Sequence, residues 1–252
     1  MSAGVRRFAF SVNGQPVGWH VYGPDAGRPL LFLHGWGMLV NGYWRAIEGL
    51  AAAGWTIHAI DLPGFGGSAP LPVTRSSLTG YADFLGAALA VSPLAGAQVP
   101  VVGHSFGAGI AARVAVSQED LFQALLLVCP VGGAGSSVRS WVAMTSALVT
   151  EFSQELAIRA TDSVTAVIRH PLPLVRSAYA AKTADLTGEL ITLHSGQVPV
   201  HLVLADRDSI VPAGQLVSAP STSTTVVRGN HGWMLTRPAE FADAACRTLP
   251  AA

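Results

Sequence analysis

The sequence has little charge, and its two signs balance. Only 12% of the 252 residues are charged, and 15 basic residues stand against 15 acidic ones, so the formal net charge is zero. A chain without a basic field or an acidic tail lacks the electrostatic surface that nucleic-acid binding needs. We therefore expect no nucleic-acid partner. Half of the residues are hydrophobic, which together with the length suits one large domain or a domain with an insertion.

Cysteine is scarce, and long hydrophobic runs are missing. Cys129 and Cys246 show no metal-ligand spacing and fall in apolar patterns, so we expect two buried free thiols. The longest uncharged stretch, residues 84–112, is interrupted by Pro93 and Pro100 and does not predict a membrane span. The first ten residues contain no apolar signal-peptide core. We therefore expect a cytoplasmic protein with no membrane partner.

Buried strand patterns alternate with helical patterns along most of the chain. This alternation is typical of an α/β fold, here a mostly parallel central sheet of about eight strands flanked by helices. The predicted strands are 6–13, 16–22, 30–33, 55–60, 99–102, 124–128, 198–205 and 224–227. The predicted helices outside the long interruption described next are 43–53, 78–91, 106–117 and 238–249.

A long interruption separates the first six predicted strands from the last two. Residues 131–196 contain no clear strand, and helices are predicted at 137–150, 153–168 and 174–184, with prolines at 171 and 173 as breaks. We predict a helical lid at 131–196 on a core formed by 1–130 and 197–252. The lid would cover the carboxyl ends of the strands, where open α/β sheets bind ligands. Candidate walls of a substrate pocket are Trp141, Met144, Phe152 and Trp233.

A G-x-S-x-G pentapeptide directly follows one of the buried strands. It spans Gly103 to Gly107, and a small-residue helix follows it. Such a sharp turn from strand to helix exposes a serine hydroxyl at the carboxyl end of the sheet, here that of Ser105. The backbone N–H of Phe106, the residue after the serine, would help to stabilise a developing oxyanion. The pattern alone is weak in a chain with 27 glycines, so its partners decide the interpretation.

A serine nucleophile needs a base and an acid that orients the base. His231 lies in a loop after the last predicted strand and is the candidate base. Asp206 and Asp208 follow the preceding strand, and both are candidates for the acid. The chain order of serine, aspartate and histidine is that of α/β-hydrolases rather than of chymotrypsin or subtilisin.

Five stretches carry a resemblance that covers nearly the whole chain outside the predicted lid. They read LLFLHGWG, AIDLPGFGGS, VVGHSFGAG, VHLVLADRDSIVP and VVRGNHGWMLTRPAEF. The chain resembles lidded serine hydrolases of the α/β-hydrolase superfamily. The G-x-x-D-x-x-x-P spacing of that family places its acid on Asp208, with Ala205 where glycine is usual. The resemblance also implies His231 as base and the backbone N–H of Trp36 as second oxyanion donor.

The resemblance implies a serine esterase acting on a small ester or related acyl substrate through an acyl-enzyme, without a metal or an organic cofactor. Two stretches, HGWG and DLPGFG, also resemble pimeloyl-carrier-protein methyl ester esterases, which commonly carry tryptophan where His104 stands here. Hydrolysis of a carbon–carbon bond or cofactor-free perhydrolysis on the same triad are alternatives. A non-catalytic ligand receptor is a further one. Both a monomer and a small homo-oligomer are compatible with the sequence.

Overall fold

The computed structural model describes residues 5–133 and 171–250. Eight strands form one sheet in the order β1-β2-β4-β3-β5-β6-β7-β8, which confirms the predicted α/β fold. The strands are β1 (Arg6–Val12), β2 (Gln15–Tyr22), β3 (Arg28–Leu33), β4 (Trp55–Ile60), β5 (Val99–His104), β6 (Phe122–Val128), β7 (Val200–Ala205) and β8 (Ser223–Val227).

The first two strands form an antiparallel hairpin at one edge of the sheet. Its turn is the predicted Asn13-Gly14 pair, whose φ angles of 51° and 77° suit a tight hairpin turn. Strand β2 pairs antiparallel with β4, and every further pairing from β4 to β8 is parallel. The carboxyl ends of β3 to β8 therefore meet at one edge, where the candidate functional residues follow their strands.

Seven α-helices are found in the described part of the chain. They are α1 (Trp44–Ala52), α2 (Leu78–Val91), α3 (Phe106–Ser117), α4 (Pro171–Lys182), α5 (Thr187–His194), α6 (Trp233–Thr236) and α7 (Pro238–Thr248). Two clusters of buried apolar side chains cover the sheet: the first includes residues of α2, α3 and α5, and the second includes residues of α1, α6 and α7. Strands β3 to β7 are buried on both sides over most of their length, which explains their continuous apolar runs in the sequence.

Two helices between β6 and β7 differ from the sequence prediction. The prolines at 171 and 173 do not break a helix but occupy the first turn of α4, where a missing N–H costs no helical hydrogen bond. Helix α5 was not predicted, and its residues Leu190 and Leu193 pack in the first cluster together with Leu186. The helices predicted at 137–150 and 153–168 lie outside the described residues.

Cys246 corrects the prediction of two buried thiols. Cys129 is buried, but Cys246 is exposed. Helix α7 buries Phe241, Ala242 and Ala245. Because each helical residue turns the chain by about 100°, the residue after Ala245 points away from that face. In the part of the chain that the structure describes, no helix is long and apolar enough to cross a membrane.

Candidate active site

Ser105 occupies a strained turn between β5 and α3. Its backbone has φ 52° and ψ −113°, a conformation that residues with side chains rarely adopt and that typically costs about 1–3 kcal/mol. The turn is held by hydrogen bonds from the Ser105 N–H to the Val128 carbonyl at 2.9 Å and from the Val131 N–H to the Ser105 carbonyl at 3.2 Å. The surrounding structure thus fixes a conformation that the residue alone would not choose.

Two glycines let the strand and the helix approach each other at this turn. A Cβ on Gly103 would lie 2.6 Å from the Cα of Ala108, and one on Gly107 would lie 2.5 Å from the Leu33 carbonyl oxygen. Both contacts are with backbone, which cannot move aside. The G-x-S-x-G pattern therefore has a steric basis in this fold, and it places Ser105 at the amino end of α3, where the helix dipole favours negative charge.

His231 and Asp208 meet at the carboxyl ends of β7 and β8. Nδ1 of His231 lies 2.7 Å from Oδ2 of Asp208, and the two side chains are 4% and 1% exposed. A carboxylate only accepts hydrogen bonds, so the imidazole proton of a neutral His231 resides on Nδ1. This is the arrangement in which a carboxylate orients a histidine base. Ser105 follows β5 at the same edge of the sheet, and the ring of the preceding His104 is centred 4.9 Å from that of His231.

Asp208 is held as a carboxylate by its surroundings. Burial alone raises the pKa of the carboxyl group, but the charge and hydrogen bond of His231 lower it, and so do two backbone N–H groups, with the net pKa below its ordinary value. Oδ1 accepts from the N–H groups of Ile210 and Val211 at 2.8 and 2.7 Å. The competing Asp206 instead accepts from the Gly229 N–H and points into an exposed loop.

The loop after β3 lies against the serine turn. The N–H of Leu62 donates to Nε2 of His34 at 2.9 Å, so the His34 proton resides on Nδ1 and donates to the Gly35 carbonyl at 2.9 Å. Because a trans peptide directs its C=O and N–H oppositely, this bond also fixes the direction of the Trp36 N–H. Within the described residues, no hydrogen bond is seen to use the N–H of Trp36 or of Phe106.

His104 connects this loop to His231. Its Nε2 lies 3.0 Å from the His231 carbonyl oxygen, and its Nδ1 lies 2.8 Å from the hydroxyl of Tyr43. The same hydroxyl accepts from the Gly35 N–H at 2.9 Å. Burial, with a smaller contribution from the charge of His231, lowers the pKa of His104 to about 3, so the ring is neutral near pH 7.

The predicted pocket residues have different outcomes. Trp233 is 1% exposed and packs against Phe241 in the second cluster, and its role as a pocket wall stays a prediction. Trp141, Met144 and Phe152 lie outside the described residues. Trp36 is half-buried, and its indole N–H donates to Oγ of Ser177 in α4 at 2.9 Å. Helix α4 therefore contacts the loop that carries a candidate oxyanion donor.

A group of possible metal ligands coincides with the candidate triad. The ligand atoms of Cys129, Asp208 and His231 lie within 4.8 Å of one another. However, burial raises the pKa of the Cys129 thiol well above its usual value, and the charge of Asp208 raises it further, so the sulfur stays protonated. Since Asp208 and His231 already share a hydrogen bond, the donor set fits an acid–base pair better than a metal site.

The second motif of the resemblance forms a structural turn. Oδ2 of the buried Asp61 lies 2.9 Å from Nε2 of His20 and accepts from the Gly67 N–H at 2.9 Å. An added Cβ on Gly66 would collide with the Asp61 carboxylate. These contacts hold the loop after β4 in shape.

Comparison with known proteins identifies the class of enzyme. The sequence matches the alpha/beta hydrolase family over residues 30–244, and the chain belongs to that family. It is 29% identical to a pimeloyl-[acyl-carrier protein] methyl ester esterase of Yersinia pseudotuberculosis, over 89% of this chain and 93% of the relative. A protein of the same description from Aeromonas hydrophila is 28% identical over 87% and 92%. These relatives support an esterase-type hydrolase.

A solved structure supports the same fold. A serine hydrolase involved in carbazole degradation superposes with a TM-score of 0.79 at 20% identity, covering 97% of this chain and 98% of the other.

Proposed function

We propose that the protein is a serine esterase in which Ser105 is the nucleophile, His231 the general base and Asp208 the orienting acid. The observation that carries the proposal is the buried 2.7 Å bond between His231 and Asp208, at the strand ends that also hold the strained Ser105 turn. Strain of this kind concentrates at functional sites. With its proton on Nδ1, the imidazole has its lone pair on Nε2, the atom that accepts the serine proton.

The reaction proceeds through an acyl-enzyme. Oγ of Ser105 attacks the ester carbonyl carbon while its proton passes to Nε2 of His231. The bond to the leaving alcohol breaks as His231 returns that proton to the alcohol oxygen. Water then attacks the acyl-serine, again with His231 as base, and releases the carboxylic acid and the free serine. Asp208 stays ionised throughout and stabilises the imidazolium.

The N–H groups of Trp36 and Phe106 stabilise the tetrahedral oxyanion in this proposal. Phe106 begins α3, so its N–H is one of the helix donors without an intrahelical partner. The Trp36 N–H is directed by the His34 bond to the Gly35 carbonyl. Removal of one such donor typically costs about 2.7–4 kcal/mol of transition-state stabilisation.

An ester series tests the assignment. Hydrolysis of p-nitrophenyl esters from acetate to palmitate is measured with the wild type, with Ser105→Ala and with the control Ser117→Ala, which removes an exposed hydroxyl at the end of α3. We expect turnover by the wild type and the control, with a maximum at one chain length, and none by Ser105→Ala beyond the uncatalysed rate. Full turnover by a folded Ser105→Ala variant would refute the proposal.

A methyl ester attached to an acyl-carrier protein is a second candidate substrate. It is supported by the relatives of that description, which align along nearly their whole length. A comparison of methyl pimelate with the same group on a carrier protein tests it. A kcat/KM for the carrier-linked ester at least about a hundredfold higher than for methyl pimelate, which corresponds to about 2.7 kcal/mol, supports carrier recognition, and equal values contradict it.

A cytoplasmic location of the protein stays a prediction.

A further inference from the structure

A continuous chain of hydrogen bonds joins two loops that come from distant parts of the sequence. It runs from the Gly35 N–H to the Tyr43 hydroxyl, from there to Nδ1 of His104, and from Nε2 of His104 to the His231 carbonyl, with separations of 2.9, 2.8 and 3.0 Å. Tyr43 and His104 are 0% and 1% exposed. One end of this series of hydrogen bonds is the backbone of Gly35, next to the candidate oxyanion donor Trp36. The other end is the backbone of His231, the candidate base.

The direction of every bond in the chain is determined by its ends. The His231 carbonyl only accepts, so Nε2 of His104 carries the ring proton. A neutral ring then has its lone pair on Nδ1, and the Tyr43 hydroxyl must donate to it. That leaves the hydroxyl oxygen to accept from Gly35, as its position requires. The chain thus has one arrangement of protons, and every donor and acceptor in it is satisfied.

The two side chains have little freedom to move. The Tyr43 ring packs edge-on against Phe32 at 5.1 Å and against His104 at 5.6 Å between centroids. Gly35 fits tightly against both: a Cβ there would lie 2.9 Å from Nδ1 of His104, 3.1 Å from the Tyr43 hydroxyl and 3.4 Å from Cβ of Ser105. Only a glycine brings the loop this close to the pair and to the serine.

We infer that Tyr43 and His104 are a positioning pair that keeps the oxyanion loop at Gly35–Trp36 in register with the base His231. The inference rests on the proposed function and assigns no contact with substrate to either residue. Tyr43 fixes the peptide before Gly35, and His104 fixes the backbone that carries the imidazole. Because the donor and the base must both be in place in the transition state, loss of the pair should lower kcat and leave KM nearly unchanged.

Single and double variants test the pair. Tyr43→Phe removes only the hydroxyl, and His104→Phe keeps a ring but removes both nitrogens. With the best p-nitrophenyl ester, we expect Tyr43→Phe to lower kcat about tenfold with KM changed by less than about twofold. If the linked hydrogen bonds act as a unit, kcat of the double variant should lie within about twofold of kcat of His104→Phe. If the two residues acted independently, the two losses in kcat would multiply. Multiplied losses, or a Tyr43→Phe variant with wild-type kcat, would overturn the inference.

Tyr81→Phe is the matched control. Its hydroxyl is also buried, donates to the Pro63 carbonyl at 3.0 Å and neighbours Ser177, and it takes no part in the hydrogen bonds that join Gly35 to His231. The variant should lose a similar amount of thermal stability and keep kcat. If Tyr81→Phe lowers kcat as much as Tyr43→Phe does, a general loss of stability explains both losses and the inference fails. If His104→Phe does not fold, the inference is tested by Tyr43→Phe against Tyr81→Phe alone, and a Tyr43→Phe variant with wild-type kcat still overturns it.

Ser105→Ala separates the two proposals. If Ser105→Ala is inactive and Tyr43→Phe is fully active, the positioning role fails and the esterase assignment stands. If Ser105→Ala hydrolyses the esters, or the wild type hydrolyses none of them and does not react with a fluorophosphonate, the esterase assignment fails and the positioning role falls with it.

Discussion

Replacement of Asp208 by asparagine probes the candidate triad with almost no change in shape. The structure determines how the amide must orient. Two backbone N–H groups, from Ile210 and Val211, point at Oδ1 from 2.8 and 2.7 Å, so the amide oxygen has to take that place. The amide NH₂ then faces Nδ1 of His231 and can only donate to it. His231 must then carry its proton on Nε2. A protonated Nε2 has no free lone pair and cannot accept the proton of Ser105.

The expected loss follows from this change of tautomer. Replacing a triad aspartate by asparagine keeps the geometry but forces the wrong histidine tautomer, and it typically lowers kcat about 10⁴-fold. This corresponds to about 5.4 kcal/mol of transition-state stabilisation. We expect Asp208→Asn to lower kcat of ester hydrolysis by about 10³- to 10⁴-fold, with KM changed by less than about threefold. Initial rates at saturating ester, together with thermal unfolding of each variant, give the comparison.

Asp206→Asn is the control for the Asp208 prediction. Asp206 lies in the same loop, but its side chain is 45% exposed and accepts from the Gly229 N–H. The variant should keep kcat within about threefold, because no contact links this carboxylate to His231 among the hydrogen bonds of the described residues. An Asp208→Asn variant with more than a tenth of the wild-type kcat, or an equal loss in Asp206→Asn, would refute the reasoning.

Three further predictions concern stability and the thiols. Burial lowers the pKa of His34, His58, His104 and His201 below 6.5, so below that pH the unfolded chain binds more protons and the free energy of unfolding should fall. The fall should reach about 1.4 kcal/mol per pH unit for each of His58 and His104, whose pKa values are about 4 and about 3. Equal urea midpoints at pH 7 and 5 would contradict this. Ellman's reagent should modify only Cys246 in the native protein and Cys129 as well after unfolding, and two reactive thiols before unfolding would be the contrary result. Gly103→Ala should destabilise by about 2–4 kcal/mol in chemical unfolding, because its Cβ meets backbone at 2.6 Å, whereas Gly188→Ala, with open space around it, should be neutral or stabilise by about 0.5 kcal/mol.

The sheet could be predicted because its signal is local. Each of the parallel strands β3 to β7 is buried on both faces over most of its length and reads as a short apolar run. Turn residues separate these runs from the helices. Helix α5 was missed because it has only eight residues, which is too short for a clear helical period in the sequence. Cys246 was misplaced because an apolar residue one position beyond the buried face of a helix looks the same in sequence as one on that face.

The candidate site was accessible from sequence wherever chemistry and strand ends coincide. Ser105, Asp208 and His231 each follow a strand, and the structure joins the last two at 2.7 Å, while their catalytic roles stay predictions. Tyr43 and His104 carried no such signal. They lie 61 residues apart, and His104 is 127 residues from His231, so only the folded chain shows that they meet. The resemblance pointed to His104 only as a departure from the usual tryptophan.

Labelling with a fluorophosphonate tests the nucleophile most directly. The reagent forms a covalent bond with an activated serine, and its position is read by mass spectrometry of the tryptic peptide that spans residues 76–113. We predict one adduct per chain, located on Ser105, absent from Ser105→Ala and formed far more slowly in Asp208→Asn. An adduct on another residue of the native protein, or an unlabelled Ser105 after full exposure to the reagent, would contradict the assignment.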